Sequence, residues 1–508
     1  MKTKNIIKGL ILASLIVNIS CSLNTEPLSV YSEITEGTTS SSGDHIKYKD
    51  RNAMLTQRDA IYLQMNGDQE YWYLDYLLLT EAHSDNAYGG TTGAEVVPFE
   101  NNSVNSGNSC LLRDWNGYMT GIATANNVIC NIDSVPDPSF AQSEREQWKA
   151  EAKIYRAMKM FDMVRIWGNF PVITFQGGDI TAENIKEVYP QYFPPQNTVE
   201  EAYAQIEKDL LEALQYAPDN NNADKTKLSK TVARALLAKV YAEATLRDYD
   251  KVIKYCDEVV ADGISLVADY ADLFAMNSAG TDAKYRNTSE SILEMQYSPS
   301  SGNWVTWMFG KDLLDPLYYF IINGWPKWVT PSRDLINAFQ NEKDNVRFAQ
   351  SIVYYTCGWS NYYPSYEYPF VYKTRSKANS IIKLRLADIL LLKAEALANK
   401  GDLSGAAAIV NTIRNRVKLD NLDNSVTSSK DKMLDAILKE RRLELAFEGQ
   451  RWFDLIRYGK MQDVMNAVYS KDSGRLPQRK SFTKDSELLP IPRMVLDDNG
   501  NLKQNPGY

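Results

Sequence analysis

From Lys149 onward, apolar residues recur at about every 3.6 positions, as in 149-KAEAKIYRAMKMFDMVRIWGNFPVI, 199-VEEAYAQIEKDLLEALQYAP and 229-SKTVARALLAKVYAEA. That spacing gathers them on one face of a helix. Strand-like alternation is scarce, so the predicted class is mainly α. Gly168, Gly263 and Gly401 fall where helices should stop, and Pro218 follows another such stop. Two segments also superpose without a gap. Laying 235-ALLAKVYAEATLRDYDKV over 389-ILLLKAEALANKGDLSGA aligns Leu236 with Leu390, Lys239 with Lys393, Ala242 with Ala396 and Asp248 with Asp402. Each reads as helix, turn, helix, and small Ala at recurring positions lets paired helices approach closely. Tetratricopeptide-like units, which bury their faces only by stacking, have this character.

The chain has 508 residues, 44% of them hydrophobic, and can bury a large core. Its 64 acidic residues outnumber 56 basic ones, the wrong balance for a protein that holds nucleic acid by neutralising phosphates. Lys2, Lys4 and Lys8 precede an apolar run from Gly9 to Val17, which reads as a secretory signal too short to span a bilayer. Cys21 follows at once, then the polar SLNTEPLS, the order expected for a lipid-modified N-terminus; an ordinary signal peptide with an incidental cysteine is the alternative. Cys110, Cys130, Cys256 and Cys357 allow three pairings, and the helical setting of Cys130 and Cys256 reads as buried free thiols. With His45 and His83 the only histidines, sites needing two or three imidazoles are excluded and a hydrolytic triad lacks a base.

Two stretches stand out. The first, 431-DKMLDAILKERRLELAFEGQRWFDLIRYGK, reads as one amphipathic helical segment with Gly449 as a break. Glu440, Glu444 and Glu448 line one edge. Glycosidase carboxylates face each other across a sugar, whereas these project side by side, so pairing at i,i+3 (Arg441 with Glu444, Glu448 with Arg451, Arg451 with Asp454, Asp454 with Arg457) is the preferred reading over hydrolysis. The second stretch, from Tyr297 to Tyr372, holds Trp304, Trp307, Trp325, Trp328 and Trp359 among Gly, Pro, Ser and Asn, which is loop chemistry loaded with aromatics. Trp72, Trp115, Trp148, Trp167 and Trp452 lie on helical patterns and are assigned to the core.

These segments resemble, in order and over essentially the whole mature chain, the SusD/RagB family of Bacteroidetes outer-membrane lipoproteins. The resemblance is carried by 21-CSLNTEPLS, 84-SDNAYGG, 114-DWNGYMTGIATANNVICNID, 150-AEAKIYRAMKMFDMVRIWGNFPVIT, TPSRDLINAF, IKLRLADILLLKAEALANKGD, ERRLELAFEGQRWFDLIRYGK and the closing LLPIPRMVLDDNGNLKQNPGY. It implies a mainly α, SusD-like fold in which tetratricopeptide-like helix pairs form a scaffold and irregular aromatic-rich loops bind. It further implies a signal peptide over 1–20 and one SusD-like domain over 21–508, comprising an N-terminal half (21–290), a loop-rich region (291–380) and a C-terminal repeat with closing motif (381–508). By the same resemblance the protein is lipidated on Cys21, held at the cell surface on the outer membrane, and captures oligo- or polysaccharide for a SusC-like TonB-dependent transporter. It implies no catalysis and no cofactor. Carried over by position, glycan contacts fall to Trp304, Trp307, Tyr319, Trp325 and Trp328, and to Asp85, Asn86 and Tyr88. An aromatic ring beside Asn, Asp or Arg suits a sugar, whose C–H face stacks while its hydroxyls bond at the edge. The acidic residues of DNAYGG lack the dense oxygen spacing of a calcium loop. Peptide binding, and less readily glycoside hydrolysis, are the alternatives.

Overall fold

The computed structural model describes residues 47–309, 328–358 and 360–508, with Trp307 and Met308 described by backbone alone. Eleven longer helices carry the architecture: α1 (Arg51–Gly67), α2 (Ser109–Asn131), α3 (Gln142–Trp167), α4 (Val199–Tyr216), α5 (Lys230–Ala242), α6 (Tyr249–Ala261), α7 (Arg333–Glu342), α8 (Leu386–Lys400), α9 (Leu403–Arg416), α10 (Lys430–Glu444) and α11 (Met461–Lys471). Their starts follow local chemistry. Asp50, Ser229, Asp248 and Asp402 each accept a backbone N–H of the first turn, and Thr198 forms a reciprocal capping box with Glu201 at the head of α4. Gly168, Gly263 and Gly401 all take positive φ just past helix ends, and Pro218 follows α4 after Ala217.

Successive helices pack in sequence, α1 on α2, α2 on α3, α3 on α4, α4 on α5 and α5 on α6, after which α8 packs against α6 and α5, and α9 and α10 against α8. The two superposable segments are thus neighbouring helix pairs. Their aligned lysines hold one pair to the other. Lys239 of α5 reaches Asp388 of α8, and Lys393 of α8 reaches Asp257 of α6. The aligned alanines, Ala242 and Ala396, are buried, as the close approach of stacked pairs requires.

Three two-stranded antiparallel sheets complete the described fold: β1 (Ala87–Tyr88) with β3 (Thr330–Pro331), β2 (Ser291–Met295) with β6 (Ile381–Arg385), and β4 (Ile352–Tyr355) with β5 (Tyr368–Val371). The last of these amends the sequence reading, since part of the aromatic stretch forms a hairpin. Its Tyr and Val residues suit a half-buried pleat. Before α2 the chain runs through two π-helical turns, Glu70–Asp75 and Leu78–Ala82, which sink Trp72, Tyr73 and Leu78 into the core. Trp115, Trp148, Trp167 and Trp452 are buried there too, as assigned. Cys110 and Cys256 are buried free thiols, but Cys130 is exposed on the outward side of the last turn of α2.

Candidate functional site

The charged segment at 440–457 is not one helix. α10 stops at Glu444, and the chain turns through Phe447 and Gly449, both at positive φ, before a short helix begins at Arg451. A side chain at Gly449 would collide with the Tyr76 ring, so the turn needs glycine there. With the helix broken, the charges face other elements. Among the described residues, Asp454–Arg457 at 2.8 Å is the one suggested i,i+3 pair that forms an ion pair. Glu444 instead meets Arg385 (2.6 Å), Arg416 (2.5 Å) and Arg347 (3.1 Å), while Glu448 meets Arg385 (2.7 Å) and Lys373. Arg441 joins Asp388 (2.7 Å) to Asp454 (2.8 Å). Burial alone would raise the Glu444 carboxyl, but Arg416, Arg385 and Arg347 outweigh it and hold the group well below the usual range. A carboxylate so held has no proton to donate at neutral pH, which rules it out as a general acid.

The SDNAYGG segment was expected to present Asp85, Asn86 and Tyr88 to a ligand. The structure corrects this: all three are buried, with 1% or less of their surface exposed. Their partners come from the 440–457 segment and from beyond it. Asp85 takes a bidentate pair from Arg451 (2.8 Å to each oxygen) and a contact from Arg442 (3.1 Å). Asn86 accepts from Arg442 (2.8 Å) and donates to Glu81 (2.7 Å). Glu81 also accepts the N–H of Gly449 (2.8 Å), and Tyr88 donates to Asp472 (2.7 Å) and stacks on Tyr362 at 4.4 Å. Burial pushes the Glu81 carboxyl up to about 7 and the neighbouring His83 imidazole down to about 4. Two motifs almost 360 positions apart are therefore halves of one buried ionic and hydrogen-bonded cluster.

What remains on the surface is narrower. Trp304 opens the short helix Trp304–Phe309 with 45% of its surface exposed, while Val305 and Phe309 anchor that helix in the core. Its backbone is fixed: the Trp304 N–H donates to Gln69 Oε1 at 2.7 Å. Asn303, immediately before it, accepts from the Thr306 N–H (3.0 Å) and donates its amide to the carbonyls of Ser376, Lys377 and Asn379 (3.1, 3.1 and 2.9 Å). Gly302 makes room for the Lys377 stem, which a Cβ there would strike at 2.8 Å. A rigidly seated, half-exposed indole thus lies next along the chain to the Ser298, Ser300 and Ser301 hydroxyls. Sequence reasoning named Trp304 but missed Asn303 and Gln69, whose distant partners leave no local signature.

Of the other expected contacts, Tyr319 and Trp325 lie outside the described residues, as does the side chain of Trp307. Trp328 is not an exposed anchor; it is partly buried against the core, with its indole N–H unpartnered. The next residue, Val329, is buried at φ 51°, a conformation that β-branched side chains rarely adopt, which marks strain on entry to β3. Tyr366, between β4 and β5, is 71% exposed and was not singled out.

Comparison with known proteins gives a consistent result. Residues 363–508 match the model of the SusD family, and residues 39–242 match a model described as starch-binding associating with outer membrane. A SusD-like protein of Bacteroides ovatus is 27% identical over 418 residues, covering 73% of this chain and 70% of its own. A solved laminarin-binding SusD-like protein shares 25% identity, with a TM-score of 0.69 over 91% of this chain and 100% of its own. Surface glycan-binding protein A from Bacteroides fluxus has the same fold, with a TM-score of 0.72 at 21% identity over 91% of this chain and 100% of its own.

Proposed function

Because this chain belongs to the SusD/RagB family, we propose that it is a non-catalytic glycan-binding lipoprotein. In this reading it captures oligo- or polysaccharide at the cell surface and passes it to a SusC-like TonB-dependent transporter. The observation that carries the proposal is Trp304, a half-exposed indole whose backbone is locked by Gln69 and Asn303. Sugar rings stack on such a face, and a side chain carried on a backbone already held in place leaves less to be ordered on binding. Trp307, Tyr319 and Trp325 are proposed to extend the platform from the adjoining segment. The neutralised state of Glu444 and Glu448 supports the absence of hydrolysis, and the laminarin-binding relative supports a carbohydrate ligand.

A glycan array probed with the chain lacking its first 21 residues identifies the ligand. Trp304→Ala should then weaken binding of that glycan by about 1 to 3 kcal/mol in calorimetric titration. Unchanged affinity removes Trp304 from the site. Release of reducing ends from any bound glycan would overturn the non-catalytic reading. Anchoring is proposed to rest on Cys21, which follows the lysines and the apolar Gly9–Val17 run in the order of a lipid-modified N-terminus. The Cys21→Ala chain should leave the membrane fraction for the soluble one; if it fractionates with wild type, the lipid anchor is wrong.

A further inference from the structure

Behind the Trp304 helix, Val305 forms part of the wall of a cavity of about 60 Å³, well above the roughly 15 Å³ that one water needs. Its apolar walls are aromatic and aliphatic, Trp72, Tyr76, Phe447 and Ile382 among them, and three charged residues, Lys373, Lys383 and Glu448, line it, Glu448 being held by Arg385 and Lys373. The lysines differ. Lys373 is neutralised, donating to the Glu444 carbonyl at 2.9 Å and pairing with Glu448. Lys383 makes no hydrogen bond, and its ion pair with Asp162 spans 3.5 Å. Asp162 is already engaged by Arg165 and by the Trp72 indole N–H at 2.9 Å. Asp162 is therefore shared between Lys383 and Arg165, which also has Glu243 nearby, and Lys383 is left without a hydrogen-bonded counter-charge of its own. The π faces of Tyr76 (4.0 Å) and Trp72 (4.7 Å) lie against the Lys383 ammonium. Two further buried groups on the same wall, the hydroxyls of Thr374 and Ser380, lack any hydrogen-bond partner.

An ammonium without a hydrogen bond, two unused hydroxyls and apolar walls describe the complement of a small carboxylate. We propose that this cavity binds a compact monocarboxylate, its oxygens taken by the Lys383 ammonium with the Thr374 and Ser380 hydroxyls and its carbon skeleton against Trp72 and Tyr76. Such a ligand gives the Lys383 ammonium a close counter-charge that it need not share and partners the two hydroxyls as well, which neutral water does not. Burial, which pushes the Lys383 ammonium down to about 8, agrees with a cation short of counter-charge. The site is separate from the Trp304 surface and does not depend on glycan capture there. The carboxylate has two conceivable sources, a free small acid or a uronic acid unit of a glycan.

Saturation-transfer NMR on the mature chain, with acetate in one arm and glucuronate in the other, tests the proposal. The acetate methyl should receive saturation from the protein with a saturable concentration dependence, undiminished when chloride is added to equal ionic strength. Lys383→Met should weaken binding at least about tenfold, and Thr374→Val or Ser380→Ala several-fold. The two hydroxyl deletions keep their shape and charge, so they carry the test even if Lys383→Met folds poorly. Saturation of glucuronate alone assigns the site to an acidic sugar unit, and of acetate to a free acid. No saturable transfer in either arm, or transfer unaltered in all three variants, overturns the inference. Because Trp304→Ala leaves this cavity untouched, its failure and that of the glycan platform are read separately.

Discussion

The 440–457 segment and the aromatic stretch at 297–372 are both dense in chemically loaded side chains, yet they do opposite things. In the first, Glu444, Arg441 and Arg451 are buried and paired across elements. In the second, Tyr366 stands in solvent and Trp304 is half-exposed on a backbone held by Gln69. Burying a charge is tolerable only when it is paired, so charged residues on a mainly apolar background point inward to partners supplied by the rest of the fold. An aromatic ring is under no such obligation. It can stay exposed wherever the backbone beneath it is held, and an exposed aromatic patch is what a binding surface offers.

The contrast can be broken most severely at Glu444. Glu444→Ala leaves Arg385, Arg416 and Arg347 short of an anion in the interior and should destabilise by about 3 to 5 kcal/mol in chemical denaturation. A loss below about 1 kcal/mol, the level of a surface pair, would mean the cluster is solvated. Tryptophans sharpen the comparison next. Trp452→Ala, from the buried segment, should cost roughly 3 to 5 kcal/mol of stability, whereas Trp304→Ala should leave the melting temperature almost unmoved. Equal losses would erase the distinction between the two regions.

The smallest effect lies where the motifs meet. With its carboxyl near 7 instead of 4.5, Glu81 keeps in the fold a proton that the unfolded chain releases between those values, so its contribution to stability falls as pH rises. His83, near 4 instead of 6.5, works the other way: the unfolded chain takes up a proton that the fold refuses, and stability falls as pH drops. Glu81→Gln removes the first term. Its stability relative to wild type should therefore improve by about 1 to 3 kcal/mol from pH 4.5 to pH 7. A difference curve flat in pH would show that Glu81 is ionised throughout.

Helix positions were legible because their causes are local: apolar residues one turn apart and stops such as Gly168 and Gly401. The helix–turn–helix pairs α5/α6 and α8/α9 could be read because a repeat prints the same pattern twice; that they pack on each other came from the structure. The burial of Asp85, Asn86 and Tyr88 could not, since a polar run containing Gly-Gly has the composition of a surface loop. Only Arg442 and Arg451, hundreds of positions away, turn it into core. The same holds for Glu440, Glu444 and Glu448, which helical spacing places in line but whose partners, Arg347, Arg385, Arg414 and Arg416, all come from other elements. Trp304 was legible as an aromatic in polar company; its seat on Gln69 and Asn303 was not.

The link between Glu81–Tyr88 and Arg442–Asp472 also has a consequence in time. Helix pairs made of neighbouring sequence can assemble as soon as both members exist, but contacts that close a loop of some 360 residues come late and slowly. A chain emerging from its N-terminus must therefore hold Glu81, Asp85 and Asn86 without their mates until most of the protein has been made. Until then the first third is a nascent body with an open seam, and the closing step belongs to the last seventy residues. Premature truncation anywhere before Arg442 would leave that seam without its mates, a product for a chaperone to hold or a protease to clear.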